Sequence, residues 1–150
     1  KTFEMLKRPD TVKIIAVKDG RIAIVKQEQP HVGSFIDIPG GMHDVDSETE
    51  MEAARRELKE ETGLICKTWK LLNVVQVHGK IEQFAYTFLA TDVERVVEQE
   101  LDPGEKIEVI YLSLQEVKDL LNDERVRYLP KDIFRSVNNI EELLVLPEFR

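Results

Sequence analysis

The stretch Gly40-Gly41-Met42-His43-Asp44-Val45-Asp46-Ser47-Glu48-Thr49-Glu50-Met51-Glu52-Ala53-Ala54-Arg55-Arg56-Glu57-Leu58-Lys59-Glu60-Glu61-Thr62-Gly63-Leu64 opens on a glycine pair and continues into one amphipathic helix, expected from Thr49 to Thr62. Thr49 and Glu52 form a capping box at its start, with Ser47 and Glu50 competing for the same role. Gly63 suits the left-handed position that ends a helix. At ~100° per residue, Met51, Ala54 and Leu58 fall on one side, while Glu57, Glu60 and Glu61 share about a third of the circumference on another. Like charges at such spacing repel by a few tenths of a kcal/mol per pair. Cations would explain the crowding, and carboxylate oxygens suit Mg²⁺, with Mn²⁺ as the alternative. A solvated acidic face is the other reading of the same pattern. Ala53, small and on the carboxylate side, is expected to leave room for a ligand.

Arg56, Glu57, Leu58, Glu60, Glu61, Gly63 and Leu64, with Glu48 upstream, resemble the signature of the Nudix hydrolases. Six residues separate Gly41 from Glu48, one more than the family pattern has. The resemblance implies an α/β/α sandwich around a mixed sheet and a single domain over residues 1–150. It implies metal ligation by Glu57, Glu60 and Glu61 and by the backbone carbonyl near Gly41. Arg56 would pair with Glu48 and hold the loop against the helix. A further carboxylate is expected from a loop before a late strand, and Glu105 is the choice, with Glu108 second and Glu100 or Asp102 as other bases; Glu60 and Glu105 are the expected catalytic carboxylates. Arg8-Pro9-Asp10 and Glu105-Lys106-Ile107-Glu108-Val109 resemble the ADP-ribose pyrophosphatase branch. That branch implies hydrolysis of ADP-ribose to AMP and ribose 5-phosphate. A nucleoside triphosphate pyrophosphohydrolase and a non-catalytic nucleotide sensor are the alternatives, and three mutually repelling carboxylates argue against the sensor. Base-recognising residues are expected on loops without a motif.

The 150 residues, 42% of them hydrophobic, fit one globular domain. No apolar run approaches the ~20 residues of a membrane span, and the N-terminal residues lack a signal-peptide pattern, so a cytoplasmic location without membrane contact is expected. Of the net charge of −8, the segment from Asp44 to Glu61 supplies −5. An acidic surface repels phosphate backbones, which disfavours nucleic acid; a small phosphorylated nucleotide could bind once metal neutralises the site. The one cysteine, Cys66, excludes an intramolecular disulfide and is expected to pack as a small hydrophobe. His31, His43 and His78 lack zinc-like spacing, and His43 is expected on a surface loop or near substrate.

Elsewhere, Lys1–Asp10 is a lead-in or edge strand. Thr11–Lys18 and Arg21–Lys26 flank Asp19-Gly20, the pair that a two-residue hairpin turn requires. A loop is expected over Gln27–Ser34, a strand over Phe35–Ile38, and a break at Pro39-Gly40-Gly41. Two strands, Trp69–Val77 and Glu82–Thr91, meet across His78-Gly79-Lys80, with Phe84, Tyr86 and Phe88 expected in the core. Val93–Glu105 reads as a loop and Ile107–Leu112 as a strand. Ser113 and Glu116 cap a helix carrying Leu114, Val117, Leu120 and Leu121. A third helix begins with Pro130 in its first turn and carries Ile133, Phe134, Val137, Ile140 and Leu144 until Pro147. This stripe reads as core packing, with a homodimer contact as the second reading.

Overall fold

Asp19 and Gly20 take positive φ values of 52° and 74°, and the turn they make joins the two strands on which the sheet is built. The computed structural model describes residues 6–29, 33–126 and 129–150; the first half of the lead-in and His31 lie outside these. In chain order the elements are β1 (Leu6–Lys7), β2 (Asp10–Lys18), β3 (Arg21–Gln29), β4 (Gly33–Asp37), β5 (Gly40–His43), α1 (Glu50–Thr62), β6 (Leu64–His78), β7 (Ile81–Val96), β8 (Lys106–Leu112), α2 (Leu114–Asp119), α3 (Lys131–Ser136) and α4 (Ile140–Leu144). β2 runs parallel to β7 and antiparallel to β5 and β3; β3 in turn pairs with β4 and β8, and β6 with β7. The sheet is therefore mixed.

Successive side chains of a strand point to opposite faces, and β2 supplies both cores of the molecule. Val12, Ile14 and Ala16 pack with Ala53, Ala54 and Leu58 of α1. Ile15 and Val17 pack on the other face with Leu114 and Val117 of α2, Ile133 and Phe134 of α3, and Leu143 of α4. Covering on both faces explains why β2 and β3 read as nearly continuous apolar runs rather than as alternation. Helices on both faces of a mixed sheet make the expected α/β/α sandwich.

Several local expectations are corrected. The loop expected from Gln27 begins later, because β3 continues to Gln29 and β4 starts at Gly33. The break at Pro39-Gly40-Gly41 is confined to Ile38 and Pro39, and the glycines belong to β5, where Lys13 pairs with Gly40 and Val12 with Gly41. β7 continues to Val96 by pairing with the start of β6, which shortens the acidic loop to residues 97–105. Of the three aromatics on β7, only Phe88 is buried; Phe84 and Tyr86 are half-buried. The expected last helix is two helices. Val137 is extended at φ −117° and ψ 145°, and the Asn139 side chain accepts from the N–H of Glu142 to start α4 anew. Pro130 precedes α3 as its cap residue, and Leu143 rather than Leu144 is buried. The stripe otherwise packs inward as core.

Candidate active site

Helix α1 starts where its chemistry says it should. The Thr49 hydroxyl accepts from the N–H of Glu52, whose carboxylate accepts from the N–H of Thr49. It ends at Gly63, in the left-handed conformation at φ 76°, whose N–H donates to the carbonyl of Lys59. Between these ends the helix lays its carboxylate face over the glycines of β5. Glu61 is 9% exposed and its Oε2 accepts from the Gly40 N–H at 3.2 Å. Glu57 packs directly on Gly41, where an added Cβ would lie 2.3 Å from the Glu57 Cδ. A side chain at Gly41 would therefore push the Glu57 carboxylate aside, whereas one at Gly40 would meet the Val12 carbonyl oxygen at 2.3 Å.

Arg56 lies among the carboxylates. Its Nε and Nη2 donate to the two oxygens of Glu48 at 2.8 and 3.0 Å, and Nη1 donates to Glu57 at 3.0 Å and to Glu60 at 3.5 Å. The fork on Glu48 is the planar, two-point pairing at which guanidinium excels. It holds the Glu48 carboxyl below its usual range, and the Arg56 guanidinium is raised above its own. Within the loop that precedes the helix, the Glu48 N–H donates to the Val45 carbonyl at 3.1 Å. His43 shares a hydrogen bond with the Glu48 carbonyl, so it braces this loop instead of facing the cleft.

Burial pushes Glu57 up to about 7; Arg56 opposes this, while Glu60 and Glu105 add to it. Burial pushes Glu61 up to about 8, against the Gly40 N–H, with Glu57 adding to the rise. Near neutral pH Glu61 therefore favours its protonated form and Glu57 stands close to its midpoint, and a bound cation would favour the ionised form of both. Among the described residues no three acidic, imidazole or thiol groups close into a metal cage. The pair still fits a hard divalent cation, because Mg²⁺ takes one or two carboxylates and completes its shell with water and phosphate oxygens. Glu60 is more exposed, with 35% of its side chain accessible, and leans on Arg56.

The loop of residues 97–105 is pinned to the end of α1. The Val97 N–H donates to the Gly63 carbonyl and the Glu100 N–H to the Glu60 carbonyl, both at 2.8 Å, and the Gln99 amide donates to the carbonyls of Glu61 and Ile107. These bonds bring Glu100, Asp102 and Glu105 to the same cleft as Glu57 and Glu61. Glu105 is close enough to raise Glu57, though its Oε1 accepts from the Asp102 N–H at 2.8 Å. Glu108 lies outside that cleft, exposed on β8 opposite Lys26. Ala53 is fully buried in the core beneath α1, so it leaves no space for a ligand, contrary to expectation.

Two cleft residues were not anticipated from sequence. Lys13 Nζ pairs with Asp37, which is 3% exposed and whose other oxygen accepts from the Ile38 N–H at 2.7 Å. Their signal was a charge inside each apolar run, Val12-Lys13-Ile14 and Ile36-Asp37-Ile38. The cleft itself has a volume of about 1380 Å³.

The NUDIX domain family model matches residues 7–132. An ADP-ribose pyrophosphatase from Mycobacterium tuberculosis is 33% identical over 98 residues, covering 63% of this chain and 47% of that protein. The chain thus spans about half the length of that curated relative. Among solved structures, an ADP compounds hydrolase is similar at a TM-score of 0.70 and 21% identity, over 80% of this chain and 65% of that one. A MutT NUDIX hydrolase from Burkholderia pseudomallei is similar at 0.57 and 24% identity, over 71% and 84%. These two likenesses are of fold. With the family model covering most of its length and the Glu48–Arg56 clamp and the helix carboxylates in place, the chain belongs to the NUDIX domain family.

Proposed function

We propose that the protein hydrolyses the diphosphate bridge of a nucleoside diphosphate linked to a second group, with ADP-ribose as substrate and AMP and ribose 5-phosphate as products. The observation that carries this reading is the pair of buried Glu61 and half-buried Glu57, set over Gly40 and Gly41 on the wall of a large cleft. The relative named ADP-ribose pyrophosphatase supports the choice of substrate. Glu57 and Glu61, with Glu60 and the Gly41 carbonyl beside them, would hold Mg²⁺ or Mn²⁺. When bound, such an ion neutralises the diphosphate and acidifies the attacking water.

The chain's own groups do the rest. Arg56 and Glu48 fix the loop that carries Gly41 against the helix, a supporting role of the kind that orients ligands. Glu105 has Oε1 committed to the Asp102 N–H, which leaves Oε2 to take the proton of the water as it adds to phosphorus. The bridging oxygen departs on the other phosphate. Many acidic groups line the cleft, so an anionic substrate is repelled until the carboxylates are neutralised.

The test is to incubate the protein with Mg²⁺ and ADP-ribose, nucleotide sugars, dinucleoside polyphosphates or nucleoside triphosphates, and to separate the products. AMP and ribose 5-phosphate from ADP-ribose should dominate; preferred release of pyrophosphate from a triphosphate would overturn the substrate assignment. In the same assay, alanine variants of Glu100, Asp102, Glu105 and Glu108 should show the greatest loss of kcat, beyond tenfold, at Glu105.

A further inference from the structure

Gln27 on β3 and Phe35 on β4 are direct cross-strand partners, and Ile107 on β8 lies opposite Gln27 on its other side. Side chains of opposed residues stand on the same face of a sheet, so Phe35 and Gln27 form one row. Asp37 lies two residues further along β4, hence on that same face, about 7 Å away. Its partner Lys13 pairs across β2 and β5 with Gly40, whose N–H meets Glu61. The row is thus continuous with the carboxylate centre and one strand step out from it.

A second cavity of about 610 Å³ adjoins the main cleft, and the two share Gln27, Phe35, Leu101 and Glu105. The seam lies between the β3–β4 row and the pinned loop. Phe35 is the one aromatic side chain among the described residues lining either cavity, and it is half-buried, with part of its surface open to them. The Gln27 amide has no hydrogen-bond partner among the described residues, although the neighbouring polar side chains Asp37 and Glu105 are both engaged.

We infer that Phe35 and Gln27 form the nucleobase subsite: the base stacks on the Phe35 ring, and the Gln27 amide meets its edge with one donor and one acceptor. The inference rests on the nucleotide reading above and deepens it. An aromatic face binds any base by stacking. A planar amide adds a matched donor and acceptor pair, which is the pattern adenine offers with its N6 amino group and a ring nitrogen. Leu101 on the opposite side of the seam supplies the apolar cover that stacking needs. Base recognition is thereby placed on rigid strands, and the diphosphate is left to reach inward past Lys13 and Asp37 to Glu57 and Glu61.

The test uses binding as well as turnover, so that failure of the subsite and failure of the hydrolase reading separate. Titration calorimetry with AMP and with ribose 5-phosphate compares the same sugar phosphate with and without a base. The wild-type protein should bind AMP at least tenfold more tightly. Phe35→Leu should lose most of that preference, Phe35→Tyr should keep it, and Gln27→Leu should weaken AMP about three- to tenfold, with ribose 5-phosphate unchanged in each variant. In turnover, Phe35→Leu should raise KM for ADP-ribose about tenfold while leaving kcat within twofold. Equal wild-type affinity for AMP and ribose 5-phosphate, or a Phe35→Leu protein that keeps the full preference, would overturn the subsite. Absence of ADP-ribose turnover with an intact AMP preference would instead count against the hydrolase substrate alone.

Discussion

At the scale of single residues, Glu61 and Glu57, the carboxylates of the proposed site, carry a thermodynamic consequence. Burial pushes their carboxyls up to about 8 and about 7, from an ordinary 4.5. The folded state then binds protons that the unfolded chain releases, so each group's contribution to stability is full below pH 4.5 and is lost as pH rises through the folded value. In EDTA, Tm should fall between about pH 5 and pH 8, the window set by those shifts. The fall should be smaller in Glu61→Gln, whose amide carries no charge to bury. Mg²⁺ should raise Tm more at pH 8 than at pH 5.5, because protons compete for the same oxygens. Differential scanning calorimetry checks all three; a wild-type Tm that climbs from pH 5 to pH 8 without metal would contradict the burial argument. The alternation that assigned Glu57, Glu60 and Glu61 to one helical face was readable, since 100° per residue is a property of the helix alone. Their different burial was not, because it depends on β5, whose Pro39-Gly40-Gly41 start has the composition of a turn.

Among the elements, α1 was the most legible because both its ends are written in local chemistry, Thr49 with Glu52 and Gly63. Gly63 does more than end the helix. A Cβ there would lie 1.9 Å from the Val97 carbonyl oxygen, and the residue's φ is already in the left-handed region. Gly63→Ala should therefore cost about 2 kcal/mol or more, from left-handed strain and the backbone clash together, lowering Tm by roughly 4–8 °C for a chain of this size. The same shift displaces the loop of residues 97–105, so kcat should fall severalfold through Glu105. Thermal denaturation and steady-state rates measured on one preparation decide it, and an unchanged Tm would mean that the loop is not held there. The split between α3 and α4 was hidden because an apolar stripe at helical spacing persists across the Val137–Asn139 interruption. The decisive feature is the cap at Asn139, which competes locally with helix continuation.

On the scale of the whole molecule, the sandwich was legible from the mixture of hairpins and helices and from the family resemblance, but the site is assembled from contacts remote in sequence. Gly40 meets Glu61, and the acidic loop docks on the helix end that precedes it by some forty residues. No periodicity encodes such meetings; only the family resemblance anticipated the Glu48–Arg56 pair and the approach of Glu105. Lys13 and Asp37 needed the sheet order, which sets β2 beside β5, before they could be recognised as neighbours. No helix among the described residues is long and apolar enough to cross a membrane.

The most direct measurement of the central claim is Mg²⁺-dependent turnover of ADP-ribose by Glu57→Gln beside the wild-type protein, with folding of both followed by Tm at pH 7.5. The amide keeps the shape that packs on Gly41 and removes the half-buried charge proposed to hold the cation. Glu57→Gln should lose kcat beyond the ~10–100-fold typical of outer supporting groups, the wild type should show no turnover in EDTA, and the metal-free Tm of Glu57→Gln should equal or exceed that of the wild type. A Glu57→Gln protein with an unchanged rate, or full wild-type turnover in EDTA, would contradict that claim.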